Sequence, residues 1–212
     1  MSWPNKFKAL RDLWQFDNRF QLLISRIFFR GDALNILRYK NVEFLEDHAN
    51  GDANGARELL TSPMYRRFLP LMTLPDSVNV LDLGSNNGGF PLLLKSQNIT
   101  IGRLACVEMN PATFGRMRFN IERNFTCPSV LMNAAVCGES REIAVEAGRG
   151  SVSNNIYDQR LGKQTRTIPG LTFDAIYAQA FPNETVDICK IDIEKAEFEV
   201  FSGSHYESIA SC

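Results

Sequence analysis

The sequence predicts an α/β fold: a parallel sheet with helices on both faces, behind an N-terminal cap of helices and a hairpin. Three observations carry this. Val78 to Leu94 joins an apolar run, through a glycine-rich turn, to a helix-patterned run. Further apolar runs occur at Leu104–Val107, Ser129–Val136 and Val186–Ile193, separated by stretches with helical spacing. Acidic residues stand at or near the ends of these runs, at Asp82, Glu108 and Asp192. Strands alternating with helices are the pattern of βαβ units, which place successive strands parallel.

Val78, Val80, Leu81 and Leu83 suit a buried strand, and Gly84, Gly88 and Gly89 punctuate the turn after it. Glycine accepts positive φ and lets a ligand approach the backbone, while the next helix offers unpaired N–H groups and the positive end of its dipole. The spacing then separates two readings. Dinucleotide sites use Gly-x-Gly-x-x-Gly to bring two glycines against a pyrophosphate. Here the pattern is Asp82-x-Gly84-x-x-x-Gly88 with Asn at position 86, which argues against NAD. The arrangement resembles the first motif of class I S-adenosylmethionine (AdoMet) methyltransferases, whose cofactor has no pyrophosphate and turns an amino-acid end toward this loop. A tight βα connection without a ligand is the plain alternative.

Composition narrows the field. The 212 residues suffice for one sizeable domain plus an appendage, divided here as a cap over 1–75 and a domain over 76–212. Twenty-three basic and 24 acidic residues leave a net charge of −1, so no global field recommends nucleic acid or an anionic membrane. The five cysteines are odd in number and form no Cys-x-x-Cys pair, as expected of reduced thiols in a cytoplasmic protein. No run of eighteen apolar residues predicts a membrane span, and charges at Lys6, Lys8, Arg11 and Asp12 argue against a signal peptide. Asn-x-Thr triplets at Asn98, Asn124 and Asn183 would matter only in a secreted protein.

From the N-terminus, Pro4 to Arg30 has the spacing of an amphipathic helix with a break near Asp17-Asn18. Such a helix can lie on a membrane, but its mixed charges favour docking on the domain. Gly31-Asp32 stops it. Asn35–Tyr39 and Val42–Leu45 flank Lys40-Asn41 as a hairpin, and after the Gly51–Gly55 loop Ala56–Met72 reads as a helix broken by Pro63. Glu58 and Tyr65 are candidates to reach the site, although solvated or core roles weigh more.

Beyond the glycine loop, the helix continues through Leu92–Gln97 and the second strand ends at Glu108, 24 residues after Gly84. An acid there accepts hydrogen bonds from both ribose hydroxyls in βαβ nucleotide sites. Pro111 opens the next helix, with Phe114, Met117, Phe119 and Ile121 as its apolar positions. At the end of Ser129–Val136, Asn133 and Ala134 either border an adenine or form an ordinary turn. Arg141–Glu146 reads as an added strand, Gly148–Asn155 as a loop able to cover a ligand, and Phe173–Phe181 as a core helix. Asp192 and Glu194 stand at the end of the fourth strand and just beyond it, where capping of the next helix is the bland role and acceptor chemistry the functional one.

Asp82-Leu83-Gly84-Ser85-Asn86-Asn87-Gly88-Gly89-Phe90, Glu108-Met109-Asn110-Pro111, Asn133-Ala134-Ala135 and Lys190-Ile191-Asp192-Ile193-Glu194-Lys195-Ala196-Glu197 together resemble the FkbM-type AdoMet-dependent methyltransferases. The resemblance covers about Val78 to Gly203. It implies a Rossmann-like class I methyltransferase sheet and methylation of a hydroxyl oxygen on a sugar or other small natural product. It also implies AdoMet held by Asp82, Gly84, Ser85, Asn86, Gly88, Glu108, Asn133 and Ala134. Asp192, with Glu194 second, would orient or deprotonate the acceptor. Lys195 departs from the family's usual glycine. A magnesium ion between the acids is the lesser alternative, because no complete metal signature is visible. The rival classes are a nicotinamide oxidoreductase and a non-catalytic AdoMet-binding module. Class I sheets resemble the order 3-2-1-4-5-7-6, and only four strands are recognised here. The expectation is therefore a chain truncated after strand four, lacking roughly 50 residues. The alternative has the hairpin cover the exposed edge.

Overall fold

The computed structural model describes residues 13–28, 34–47, 55–146, 165–193 and 196–202. The cap comprises α1 (Arg19–Phe28), β1 (Leu34–Tyr39), β2 (Val42–Asp47), α2 (Ala56–Thr61) and a short 3-10 turn at Leu69–Leu71. Next come β3 (Val78–Leu83), α3 (Gly89–Ser96), β4 (Ile101–Val107), α4 (Pro111–Asn124) and β5 (Ser129–Met132). The remainder is β6 (Ala135–Val136), β7 (Arg141–Glu146), β8 (Thr165–Leu171), α5 (Phe173–Ala180), β9 (Ile188–Ile191) and α6 (Glu197–Ser202).

Strands β5, β4, β3 and β9 lie in that order in a parallel sheet, with Leu83 in register with Val107 on one side and Ile191 on the other. Alternate residues of β3 enter two different cores, because successive strand side chains point to opposite faces. Val78 and Val80 pack with Leu92, Leu93, Met117 and Ile121 from α3 and α4. Leu81 and Leu83 pack with Phe173 and Ile176 from α5 and Val200 from α6. Burial on both faces is why this strand reads as a nearly continuous apolar run.

The third expected strand departs from its reading. It divides at Asn133, whose amide donates to the carbonyls of Glu108 (2.8 Å) and Met109 (2.9 Å) and turns the chain out of the sheet. Ala135 and Val136 then pair with β8 in a separate sheet ordered β6-β8-β7. The sequence pattern does not reveal β8, since Pro169 and Gly170 disguise it. Among the described residues β6 pairs only Gly170 and Leu171 on that side of β8, which leaves Pro169 beyond the pairing, a position open to a residue without an N–H. β9 is also shorter than expected, and β4 begins earlier.

Two asparagines of α4 attach the hairpin. Asn120 Oδ1 accepts from Leu45 N–H (2.6 Å) and its amide donates to Leu45 O (3.1 Å). Asn124 does the same for Glu43 N–H (3.1 Å) and O (2.7 Å). Residues four apart on a helix thus meet residues two apart on a strand, and their side-chain amides stand in for a neighbouring strand. The hairpin is accordingly fastened to α4. Asn120 also donates to Asn87 O (2.8 Å), tying the cap to the glycine loop.

Asn18 accepts from Arg38 N–H and donates to Ile36 O, and α1 begins only at Arg19; residues 4–12 and 29–30 of the expected helix lie outside the described residues. α1 docks on the domain as expected, but not by its apolar stripe. The helix is held by buried Leu22 and by Ser25 Oγ donating to Asn35 Oδ1 (2.8 Å), while Phe20, Ile24, Ile27 and Phe28 are exposed. Pro63 ends α2, with Ser62 extended at ψ 149°, and the helix expected to resume as far as Met72 is replaced by turns and the 3-10 turn at Leu69–Leu71. Among the described residues no helix is long and apolar enough to cross a membrane.

Asn120→Ala orphans the Leu45 and Asn87 backbone groups and is expected to lower stability by about 2–3 kcal/mol in urea unfolding. Phe119, an apolar position of α4 that is 38% exposed, should tolerate alanine within about 0.5 kcal/mol. Equal losses at both positions would contradict the asparagine attachment.

Candidate functional site

The C-terminal ends of β3, β4 and β9 adjoin, bringing the segments around Asp82, Glu108 and Asp192 to neighbouring positions. Between them runs the glycine loop. Gly84 N–H (3.0 Å) and Ser85 N–H (2.9 Å) donate to Val107 O, and Ser85 Oγ donates to Asp82 O (2.7 Å). Gly84 has φ +75°, and a Cβ there would lie 1.9 Å from the Asp192 carbonyl oxygen. The residue is therefore glycine because β9 passes against it, a constraint that the sequence pattern alone attributes to a ligand's approach.

Glu108 closes the loop from the other side. Its Oε2 accepts from Asn86 N–H (2.9 Å) and its Oε1 from Asn110 N–H (2.7 Å). Burial pushes the carboxyl up to about 7, against these two hydrogen bonds, which favour the ionised form. Asn110 in turn caps α4, accepting from Ala112 and Thr113 N–H. Asn133 is part of the same cluster through its bonds to Glu108 O and Met109 O, and Ala134 is buried beneath it among the apolar residues of the α5 side. Asn86 holds φ +50°, and Gly88, at φ +87°, opens α3.

Lys190 joins the acids. Its ammonium lies 3.3 Å from Asp82 Oδ1 and 3.5 Å from Asp192 Oδ2, and donates to Gly84 O at 3.1 Å. Burial works against the ammonium, but Asp82, then Asp192 and Tyr65, outweigh it and hold its pKa above the ordinary lysine value. Asp82 is fully buried, and the Lys190 contact is an ion pair whose geometry falls short of a hydrogen bond. Tyr65 of the cap lies with its ring edge-on to Phe90 at 5.6 Å between centroids and couples electrostatically to this group. Burial raises its phenol, Lys190 draws it back, and Asp192 and Asp82 push it up again. Glu58 is exposed on α2.

Sequence pattern gave Lys190 no role, although a lysine within the run Val-Asp-Ile-Cys-Lys-Ile-Asp-Ile was a usable signal, since lysine is seldom buried unpaired. Asp192 is 58% exposed on its side chain. The next helix receives a different reach-back, with Ile193 N–H donating to Glu197 Oε1 (2.9 Å). Glu194, Lys195 and the Gly148–Asn155 loop lie outside the described residues. Among the described residues no three His, Cys, Asp or Glu side chains cluster as metal ligands.

Residues 90–212, which are 123 of the 212, match the methyltransferase FkbM domain. The chain belongs to the FkbM methyltransferase family. Its chemistry is methyl transfer. No curated protein and no solved structure matches the chain. The matched span of this methyltransferase includes Glu108, Asn133, Lys190 and Asp192 and begins just after the glycine loop.

Lys190→Met leaves Asp82 buried beside no cation and is expected to cost about 3–5 kcal/mol in urea unfolding, while Asp82→Asn/Lys190→Met together should cost much less than the sum. Additive losses in the double-mutant cycle would dissolve the pair. Gly84→Ala should lower the melting temperature, whereas Gly115→Ala should raise stability by up to about 1 kcal/mol, because a Cβ at Gly115 meets nothing within 4 Å in the middle of α4.

Proposed function

We propose that this methyltransferase uses AdoMet to methylate a hydroxyl oxygen of a small acceptor, a sugar or another natural product, in the cytoplasm. The observation that carries the reading is the placing of two unlike carboxylates at the strand ends on either side of β3. One, Glu108, is enclosed and bound to the glycine loop; the other, Asp192, is exposed beside a buried lysine.

The residues present fit the cofactor. Glu108 uses one acceptor site of each oxygen on a backbone N–H, and a carboxylate oxygen has two, so acceptor capacity remains for the two ribose hydroxyls. Asp82 Oδ1 and Oδ2 accept no hydrogen bond among the described residues, which suits a site whose ligand ends in an ammonium. The loop Gly84, Ser85, Asn86 and Gly88 would face the amino-acid end, and Asn133 and Ala134 the adenine. When bound, AdoMet supplies an activated methyl group on a sulfonium sulfur.

The chain's own residues then have three tasks: to hold the acceptor in line, to keep water out and to take one proton. Asp192 takes the proton from the acceptor hydroxyl, with Glu194 as the second candidate. Lys190 orients the Asp192 carboxylate by its charge.

Glu108→Gln should weaken binding of AdoMet or its demethylated product by one to two decades in calorimetry, the worth of charge-assisted hydrogen bonds of about 1.5–3 kcal/mol. The ribose hydroxyls donate to the ionised carboxylate, and the free protein holds that carboxyl's pKa at about 7. Affinity should therefore rise as pH increases through 7 and level off above it, with the slope absent in Glu108→Gln. A flat profile in the parent protein would remove Glu108 from the ribose.

Asp192→Asn should lower transfer of labelled methyl to a panel of hydroxyl-bearing sugars and natural products far more than it lowers cofactor affinity. Equal losses in both, or none, would remove Asp192 from the acceptor side.

A further inference from the structure

Phe20, Leu23, Ile24, Ile27 and Phe28 are spaced i, i+3, i+4, i+7 and i+8 along α1, so at 3.6 residues per turn they share one stripe. In a helix packed on its own domain that stripe would face the core. Here the buried position is Leu22, on the opposite side of the helix, and the Ser25 bond to Asn35 secures that narrow side. The stripe is left outward, with Phe20 61%, Ile24 53%, Ile27 50% and Phe28 74% exposed. Trp14 extends it, edge-on to Phe20 at 6.0 Å, and the Arg19 guanidinium lies 5.4 Å and 5.3 Å from the two ring centroids. This apolar face is built from large side chains and carries its own cation.

Charge selects the occupant. The α1 sequence has Arg19 and Arg26 and no acid. Residues 1–30 contain six lysines and arginines against two aspartates, whereas the chain as a whole has a net charge of −1. A second copy would set one net-positive segment against another of the same sign. An anionic lipid surface complements both properties, with the apolar stripe entering the acyl boundary and the segment's positive charge favouring anionic headgroups. We infer that α1 is a membrane-surface helix that seats this protein on anionic phospholipid, its apolar stripe in the interface and its Leu22 side on the domain. Seating of this kind would bring the methyltransferase to acceptors held at a membrane, and it does not depend on the cofactor assignment.

The test uses the full chain with two sets of vesicles, phosphatidylcholine alone and phosphatidylcholine mixed with phosphatidylglycerol. Co-sedimentation with the anionic vesicles should exceed that with neutral ones at least roughly tenfold and weaken in about 0.5 M salt. In a Trp3→Phe background, Trp14 emission should shift to the blue on binding. Ile24→Glu/Ile27→Glu, which alters exposed positions, should keep the circular dichroism and thermal transition of the parent and abolish sedimentation. Failure to bind the anionic vesicles, equal binding to both sets, or full binding by the double variant would each overturn the inference. Concentration-dependent dimerisation that the double variant removes, without vesicle binding, would overturn it too and assign the stripe to a second copy.

Discussion

Lys190 stands on β9 in register with Asp82 on β3, and its ammonium is shared among the Asp82 carboxylate, the Gly84 carbonyl and the Asp192 carboxylate at 3.3, 3.1 and 3.5 Å. A charge this deeply buried persists only where its partners offset the lost hydration, so the positions of all three are constrained together. The close approach of Gly84 to the Asp192 carbonyl reinforces the constraint sterically. The end of β3, the start of the glycine loop and the end of β9 consequently behave as one unit. Asp192 is the member of that unit left facing solvent.

The loop is held from the cap side as well. Ala56 N–H donates to Asn87 Oδ1 (2.7 Å) at the start of α2, and Asn120 donates to Asn87 O while gripping the hairpin through Leu45. Gly89 lets α2 lie against α3, since a Cβ there would come within 2.8 Å of Ala56 Cα. The cap is thus bonded into the loop. A site whose geometry is set by buried amides and close backbone contacts is preorganised, and catalysis by positioning depends on that property.

At its other end the cap does the reverse, turning apolar side chains outward. The arrangement is stable locally because Asn18 satisfies the Ile36 and Arg38 backbone groups and Phe16 packs edge-on against Tyr39 and Phe44. The helix after this anchor needs little further attachment. Its stripe is consequently available for a surface outside the domain.

Local pattern was enough for the strand Val78–Leu83, the added strand Arg141–Glu146, the core helix begun at Phe173 and the placing of Glu108 after a strand. Each is defined by side chains within a few residues of one another, through alternation, continuous burial or a cap such as Thr172. Other features needed partners distant in the chain. The division of the third strand depends on Asn133 finding Glu108 and Met109, and the hairpin's position on Asn120 and Asn124 meeting Leu45 and Glu43, 75 and 81 residues away. Lys190 becomes a site residue only because β9 lies beside β3, although Asp82 and Lys190 are far apart in the chain. The outward turn of α1 was hidden for the same reason. Periodicity reveals that a helix has an apolar face, but only packing decides whether the domain or something outside it receives that face.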